Sequence, residues 1–338
     1  MSNEILSTRE VGTVAIWGCG GGGSNIAKKF DSEPVQADIA KLSVRYLDTS
    51  DSNLTDSQVK NAYLFKSIEG EELDGSGMLK SKNAEAIEKA TPEVIRKFPA
   101  AYANIVVSTA SGGTGNVAAY YLTKALLEAG KRVFVVLIGS SENERKVKNV
   151  ITSVANLQDL SEELGKNIVF HWGMNKKGVA RSAVDAEAEL MITALAILCS
   201  RRNVGFDTAD LDSFINYNLV KPEFKPALSR IQVYDSAEKF DEEQKNVISA
   251  AYLTRSPDDE QPTVFAPYST DGFLPNVAQK NNLFFAIETH SLHGIHKELA
   301  ALHSELEAAE KNRTTNTTAS FAGLTGVAGK KKKGPILD

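Results

Sequence analysis

Two glycine-rich segments carry the clearest chemistry in this sequence. The first, residues 18–25, is Gly-Cys-Gly-Gly-Gly-Gly-Ser-Asn and follows an apolar run at residues 11–17. The second, residues 111–116, is Ser-Gly-Gly-Thr-Gly-Asn and follows another apolar run at residues 104–109. Glycines let backbone N–H groups approach an anion closely, and a helix that begins there adds unpaired N–H groups and the positive end of its dipole. Both segments are therefore predicted to bind phosphate.

The spacing within the first segment also matches a dinucleotide site. Gly18, Gly20 and Gly23 satisfy the G-x-G-x-x-G pattern, and Asp48 stands where a ribose-binding acid is expected. An NAD-binding oxidoreductase is therefore one hypothesis. A dinucleotide site needs only one such turn, however, so the second segment favours a longer polyphosphate held between two loops. Neither segment is followed by the Gly-Lys-Ser/Thr of a Walker A motif, which excludes a conventional P-loop NTPase.

A pair of carboxylates, Asp207 and Asp210, lies in the sequence Asp-Thr-Ala-Asp. Two acids at this spacing can coordinate Mg²⁺ through water or orient an attacking water for phosphoryl transfer. The same spacing is typical of a helix cap, here for a helix over residues 211–215. The residues alone leave both interpretations open.

The elements that must position these residues alternate between strand-like and helix-like patterns. Strands are predicted at residues 11–17, 42–47, 104–109, 131–138 and 167–172, with a helix at 117–129. Such alternation is typical of an α/β protein with a mostly parallel sheet and helices on both faces. A long apolar helix at 182–202 is expected to be a buried connector. Further strands are predicted at 231–234, 263–268 and 283–288, in a smaller α+β region.

The last predicted helix covers residues 290–311. Its apolar residues repeat at steps of three and four: Leu292, Ile295, Leu299, Leu302 and Leu306. This seam is short, which favours packing on the protein's own body over a coiled coil. Three histidines, His290, His293 and His296, point over too wide an arc of the helix to share one ion, so no metal site is expected there.

Composition and charge bound the class of protein. The chain has 338 residues, of which 42% are hydrophobic and 24% charged, as in globular proteins, and this length predicts two domains. The net charge of −5 disfavours a polycation that coats nucleic acid or an anionic membrane. Two cysteines exclude a disulfide framework, and no apolar run is long enough to cross a bilayer. A soluble, cytoplasmic protein is therefore expected.

The charge is unevenly distributed. Residues 312–338 contain five basic residues and one acid, so this tail carries +4 and the remainder of the chain −9. The basic run Lys330 to Lys333 has three interpretations: a solubilising segment, a contact with DNA or an acidic adaptor, or a segment that docks on another subunit.

The two glycine-rich segments, with an acid pair after a long buried helix, resemble the tubulin/FtsZ superfamily of polymerising GTPases. The resemblance covers residues 11–215. The second segment departs from the family signature Gly-Gly-Thr-Gly-Ser-Gly, because Asn116 and Val117 stand at its last two positions. The chain length, the C-terminal helix and the separate tail are most similar to phage tubulins of the PhuZ type, with TubZ-type partition proteins as near relatives.

The resemblance implies a domain organisation and a function. A Rossmann-like GTP-binding domain would cover residues 1–181, and the smaller activation domain residues 203–289. The central helix (182–202) would join them, and the C-terminal helix (290–311) and flexible tail (312–338) would follow. The implied function is a filament-forming cytoskeletal GTPase that positions or segregates phage or plasmid DNA in the cytoplasm of a bacterial host. A nucleotide-binding scaffold that assembles but scarcely hydrolyses is a further alternative.

The resemblance also implies the residues that would hold GTP or GDP with Mg²⁺. Phosphate contacts fall on Gly20, Gly21, Gly22, Gly112, Gly113, Thr114, Gly115 and Asn116. Asp48 would lie near nucleotide and metal, and Gly77 in a loop that senses the γ-phosphate. Glu144 or Glu142 would contact the ribose. The residues implied to face the guanine base are Asn25, Asn175 and Asp185.

In this family the catalytic acids complete the nucleotide site of the next subunit in a head-to-tail filament. The resemblance therefore implies that Asp207 and Asp210 are catalytic only after self-assembly. It also implies that the tail docks on the next subunit, although tails in the family are typically acidic and this one is basic.

Overall fold

The computed structural model describes residues 11–31, 39–52, 54–274 and 281–324. The basic run Lys330 to Lys333, with the end of the predicted tail, lies outside the described residues. No described helix is both long enough and apolar enough to span a membrane.

The first half of the chain alternates strands and helices. Its strands are β1 (Thr13–Cys19), β2 (Lys41–Asp48), β3 (Ala62–Leu64), β4 (Ala103–Thr109), β5 (Arg132–Ser140) and β6 (Ile168–Asn175). Its helices are α1 (Gly20–Ala27), α2 (Asp56–Val59), α3 (Ala84–Lys97), α4 (Thr114–Glu128), α5 (Glu144–Leu164) and α6 (Arg181–Leu198). All six strands are parallel, in the order β3-β2-β1-β4-β5-β6. The predicted α/β class with a mostly parallel sheet is confirmed.

The second half extends the same sheet. Its elements are α7 (Thr208–Ile215), α8 (Tyr217–Val220), β7 (Leu228–Tyr234), α9 (Ala237–Glu243), β8 (Ser249–Thr254), β9 (Tyr268–Phe273), β10 (Leu283–Glu288) and α10 (His290–Leu324). β7 pairs parallel with β6, and β10 lies antiparallel between β7 and β8. The described strands therefore form one ten-stranded sheet that ends at β9.

The predicted strand at residues 263–268 is wrong. The strand begins at Tyr268, directly after Pro267, because a proline has no backbone N–H to donate to a sheet. Upstream, the carboxylate of Asp241 accepts the N–H groups of Thr263 and Val264, so this segment is satisfied by a side chain instead of a neighbouring strand. The buried strand β8 was not predicted. Its sequence, Ser-Ala-Ala-Tyr-Leu-Thr, shows no alternation of polar and apolar residues and contains few large apolar side chains.

Two helices end at positions other than those predicted. α6 ends at Leu198, four residues early, where the Asn203 side chain donates to the carbonyls of Ile197 and Leu198. α6 is also not buried on every side, since Leu190 is 69% exposed. The backbone of α10 stays helical to Leu324, beyond the predicted end at residue 311, and no proline or glycine interrupts residues 295–322.

Apolar cores lie on both faces of the sheet. One contains α1, α6 and α7; the other contains α3, α4, α5 and the first turns of α10. Ile295 and Leu299 of α10 are buried in the second core and Leu292 packs against it. The prediction that this seam packs on the protein's own body is confirmed over these turns.

Candidate functional site

The two glycine-rich segments lie together at the carboxyl edge of the sheet. β1 is flanked by β2 on one side and β4 on the other, so the chain order reverses at β1. Ligands of open α/β sheets bind outside the carboxyl ends of the strands at such a switch point. Here β1 leads directly into α1, and β4 leads through residues 110–113 into α4.

The two segments touch through their backbones. Gly20 has φ +69°, and a Cβ atom placed on it would lie 2.6 Å from the Cα of Gly115. A Cβ placed on Gly115 would lie 2.3 Å from the carbonyl oxygen of Cys19. Real Cβ atoms do not approach other atoms so closely, so both positions require glycine. The two loops therefore lie side by side, as the sequence predicted.

Both helices that start at the contact lack a side-chain cap. The N-cap residues are Cys19 for α1 and Gly113 for α4, and neither helix has an acid in its first turn. Other helices do have a capping side chain, among them α5 with Asn143, α7 with Asp207 and α9 with Ser236. Two positive dipole ends therefore converge at the switch point, together with first-turn N–H groups of which only that of Thr114 is accepted by a described side chain, the Ser76 hydroxyl. Such a convergence suits a polyphosphate.

Side-chain hydrogen bonds fix the second glycine loop. The hydroxyl of Ser76 accepts the Thr114 N–H at 3.1 Å, and the Thr49 and Thr114 hydroxyls lie 3.1 Å apart. Asn149 of α5 donates to the carbonyls of Met78 and Ser111, both at 3.1 Å. The loop around Gly77, implied to sense the γ-phosphate, is thus tied to the second glycine loop.

A polar cluster supports the loop from behind. The Ser153 hydroxyl accepts from Asn116 Nδ2 at 2.5 Å and from Lys80 Nζ at 2.9 Å, and it lies 2.9 Å from the Ala110 carbonyl oxygen. Lys80 also donates to the Asn149 carbonyl at 2.7 Å, and burial lowers the pKa of Lys80 to about 8. The Asn116 side chain therefore braces the loop, which leaves its backbone N–H for a phosphate.

Asn149, Ser153 and Lys80 were not identified from the sequence. Asn149 and Ser153 are polar residues four positions apart on a helix, a pattern that also fits any exposed helix face. Only the position of α5 behind the loops shows their role.

The remaining predicted nucleotide contacts lie around this edge. Asp48 at the end of β2 is 7% exposed, and burial raises the pKa of its carboxyl, although the Thr49 N–H donates to it at 2.8 Å. Asn175 ends β6, and its buried Oδ1 atom has no partner among the described residues. Asp185 is half-buried on α6. Asn25 on α1 is exposed and accepts from Lys28 at 2.8 Å.

The two candidate ribose acids differ in their surroundings. Glu142 accepts hydrogen bonds from Lys146 and Arg181, which hold the pKa of its carboxyl below the usual value. Glu144, the first residue of α5, lies 3.9 Å from His303 of α10. Glu142 is thus already paired with Lys146 and Arg181, whereas Glu144 faces α10.

Asp207 and Asp210 form a reciprocal helix cap. Asp207 Oδ1 accepts the N–H groups of Ala209 and Asp210, at 2.7 and 3.1 Å. Asp210 Oδ2 accepts the Asp207 N–H at 2.8 Å. The capping interpretation is therefore confirmed. A carboxylate offers about four lone-pair positions, so the cap is compatible with a second role for either acid.

The acid pair lies at the opposite edge of the sheet from the glycine loops. α6 leaves the carboxyl end of β6 and returns to the amino edge, where the Gly12 N–H, just before β1, donates to Ser200 at 2.8 Å. The hydroxyl of Tyr102, just before β4, bonds the Thr208 hydroxyl of α7 at 3.1 Å. A strand of seven residues spans roughly 20 Å, so the acids and loops of one chain do not meet.

Among the described residues, no group of three or more His, Cys, Asp and Glu side chains forms a metal site of its own. Oxygen donors suited to Mg²⁺ are nevertheless present beside the loops, in the Asp48 carboxylate and the hydroxyls of Thr49 and Thr114. These residues fit a magnesium ion that arrives with a nucleotide.

The fold is similar to that of tubulin/FtsZ-like proteins, as the sequence resemblance implied. No protein-family model matches the chain. Two phage tubulin-like proteins are similar in sequence. That of Pseudomonas phage PhiPA3 is 25% identical over 66% of this chain and 67% of its own length, and that of Pseudomonas phage phiKZ is 23% identical over 88% and 91%.

Solved structures of phage tubulins share the fold. The protofilament of TubZ from bacteriophage PhiKZ superposes with a TM-score of 0.81 at 22% identity, covering 97% of this chain and 96% of that one. The GDP complex of the phage tubulin PhuZ superposes with a TM-score of 0.79 at 18% identity, covering 96% and 95%. The similarity to phage tubulins is therefore confirmed in sequence and in fold.

Proposed function

We propose that this protein is a tubulin-like cytoskeletal GTPase that binds GTP or GDP with Mg²⁺ and assembles head to tail into filaments. The observation that carries the proposal is the convergence of the N-termini of α1 and α4, which touch through Gly20 and Gly115 and whose N-cap residues supply no capping side chain. Support comes from the similar phage tubulins, one solved as a protofilament and another with GDP.

The nucleotide would lie across the carboxyl edge of the sheet. The N–H groups of Gly20, Gly21, Gly22, Gly113, Gly115 and Asn116 would bind the phosphates. Gly112 and Thr114 would shape the second loop, since their own N–H groups donate to the Thr109 carbonyl and the Ser76 hydroxyl. Asn175, whose Oδ1 is buried without a partner, and Asp185 would face the base. A carboxylate accepts both the N1–H and N2–H of guanine, which adenine does not offer. Bound Mg²⁺ would neutralise phosphate charge beside Asp48.

Hydrolysis would require two subunits. Because Asp207 and Asp210 lie at the opposite edge from the loops, only a second copy stacked in the same direction can bring acids to a nucleotide. Such a heterologous contact does not close on itself and therefore produces an open filament. The acids would orient the attacking water, so that filament growth completes each site and hydrolysis limits filament lifetime.

Nucleotide choice tests the first part of this proposal. Labelled GTP bound to the purified protein is to be challenged with unlabelled GTP, GDP, ATP and NAD, and we expect only GTP and GDP to displace it. If NAD bound more tightly than GTP, the GTPase proposal would be wrong and the alternative of an NAD-binding oxidoreductase would be favoured. Negative-stain microscopy with GTP and a slowly hydrolysed analogue is expected to show filaments with both, longer-lived with the analogue.

We further propose that the filaments position or segregate phage or plasmid DNA in the bacterial cytoplasm, with DNA, an adaptor or the next subunit as partner of the C-terminal tail. The test is co-sedimentation of DNA with filaments of the full chain and of a chain ending at Lys311. Equal DNA recovery with both chains would exclude the tail as the DNA contact.

A further inference from the structure

Arg201 has an unusual backbone conformation beside the acid pair. It has φ +60°, and among the described residues only Met78 shares a positive φ without being glycine. Left-handed backbone costs an arginine free energy, and such strain is concentrated at functional sites. Met78 lies in the loop implied to sense the γ-phosphate. The two strained residues thus occupy the two edges of the sheet that a head-to-tail contact would join.

Aromatic stacking holds the Arg201 guanidinium. Its central carbon lies 5.4 Å from the ring centre of Tyr102, within cation–π range. Arg132 stacks on the same ring at 4.4 Å, and its guanidinium pairs with both oxygens of Asp212 at 2.6 and 2.8 Å. No carboxylate pairs with Arg201 among the described residues. Within the part of the chain that the structure describes, Arg201 is therefore a positioned cation without a counter-ion.

The same cluster carries the acid pair. Tyr102 bonds the Thr208 hydroxyl, and Thr208 stands between Asp207 and Asp210 at the start of α7. Arg201, Tyr102, Asp207 and Thr208 also line one small cavity at this edge. Tyr102 thus connects Arg201 to the start of the helix that carries the two acids, with Asp207 exposed and Arg201 and Asp210 half-buried.

Charge explains why a cation is needed beside the acid pair. Two carboxylates that approach a bound triphosphate are repelled by it, and the repulsion is strong where water is excluded. A guanidinium beside the acids offsets the repulsion and can donate two parallel hydrogen bonds to phosphate oxygens.

We propose that Arg201 is a catalytic residue that acts in trans, donating to the terminal phosphate of the nucleotide bound by the next copy of this chain. The inference rests on the proposed GTPase function. In the step it assists, water attacks the γ-phosphorus while the bond to the β–γ bridging oxygen breaks, giving GDP, inorganic phosphate and a proton. Arg201 stabilises the negative charge that develops on the phosphate oxygens.

Chemical rescue tests this role. Arg201→Gly suits φ +60°, so it preserves the loop while it removes the cation. GTP affinity and filament formation are expected to persist, while phosphate release per assembled subunit falls at least about 100-fold, by comparison with other lost transition-state donors. Added guanidinium ion is expected to restore release, and urea, its neutral isostere, is not. Arg96→Gln, on the exposed surface of α3, is the charge-matched control.

The possible negative results of this experiment distinguish the role of Arg201 from the proposed GTPase function. Normal phosphate release by Arg201→Gly, or equal rescue by urea, would overturn the role of Arg201 while leaving the GTPase proposal intact. Loss of assembly would assign Arg201 to the subunit contact and also overturn its catalytic role. Absence of GTP hydrolysis by the assembled wild-type chain would overturn the proposed function and this inference together.

Discussion

The backbone contact between Gly20 and Gly115 brings the two glycine loops close enough to share one ligand. Each glycine excludes even a methyl group, because the added Cβ would lie within 2.6 Å of the other segment. The requirement is therefore steric, and it applies in addition to the positive φ of Gly20. The close packing of the two loops therefore depends on these two single residues.

Substitution of Gly115 tests the contact. In Gly115→Ala the new methyl group lies 2.3 Å from the Cys19 carbonyl, so the loops must separate. The Kd for GTP is expected to rise about 10- to 100-fold, since over-packing costs about 1–3 kcal/mol. Gly294→Ala is the matched control, because its Cβ meets nothing within 4 Å and alanine favours α10 by up to about 1 kcal/mol. Unchanged GTP binding by Gly115→Ala would refute the shared site.

The acid pair has a structural and a proposed catalytic role, which a conservative substitution separates. Asp210→Asn keeps a side-chain oxygen for the Asp207 N–H but removes the charge. We expect unchanged GTP binding, phosphate release reduced about 100-fold or more, and filaments that persist.

The measurements are phosphate release and sedimentation, with Asp258→Asn in an exposed loop as control. If Asp210→Asn hydrolysed GTP at the wild-type rate, Asp210 would have only its helix-capping role and the proposed catalytic role would be wrong.

At the scale of elements, α5 is the support that joins the loops. Asn149 bridges two loop carbonyls, and Lys80 and Asn116 both meet the Ser153 hydroxyl. This arrangement places a lysine, with its pKa lowered by burial to about 8, behind the two glycine loops, which have no Walker lysine of their own.

Lys80 gives the protein a pH-dependent stability. Its pKa is 10.5 in the unfolded chain and about 8 when folded, so the unfolded chain binds more protons between these values. The free energy of unfolding therefore rises with pH across this window, by up to about 3 kcal/mol. Denaturant titrations at pH 8 and 10 are expected to show this rise in the wild type relative to Lys80→Met. Parallel pH dependence in the two proteins would refute the burial of the charged group.

The sequence predicted the elements that have strong local signals. The strand–glycine–helix units around residues 18–25 and 111–116 were recognised because buried parallel strands and glycine turns are both distinctive. β8 was missed because its small residues are buried by neighbours distant in sequence. The supporting role of Asn149 was also missed, since hydrogen bonds to loop carbonyls depend on tertiary position and leave no local pattern.

At the scale of the whole molecule, the sheet separates the two parts of the proposed active site. The nucleotide loops occupy one edge, and Asp207, Asp210 and Arg201 occupy the other. The sequence resemblance implied this separation, while the strand order and the return path of α6 supply its physical basis.

The C-terminal extension is the second whole-molecule feature. Residues 312–338 carry +4 on a protein whose remainder carries −9, so attraction between the tail and another subunit is electrostatically favourable. A chain ending at Lys311 is expected to have a higher critical concentration for assembly, measured by light scattering, with the difference reduced at high salt. An unchanged critical concentration would exclude docking of the tail on another subunit.

The dependence of GTP hydrolysis on assembly tests the central claim most directly. Phosphate release and right-angle light scattering are to be measured on the same samples across a range of protein concentrations. Since the acids and the loops of one chain do not meet, release is expected to be negligible below the critical concentration and to rise in proportion to polymer above it. A rate per subunit that is the same below and above that concentration would show that a single chain completes its own site, and would contradict this account.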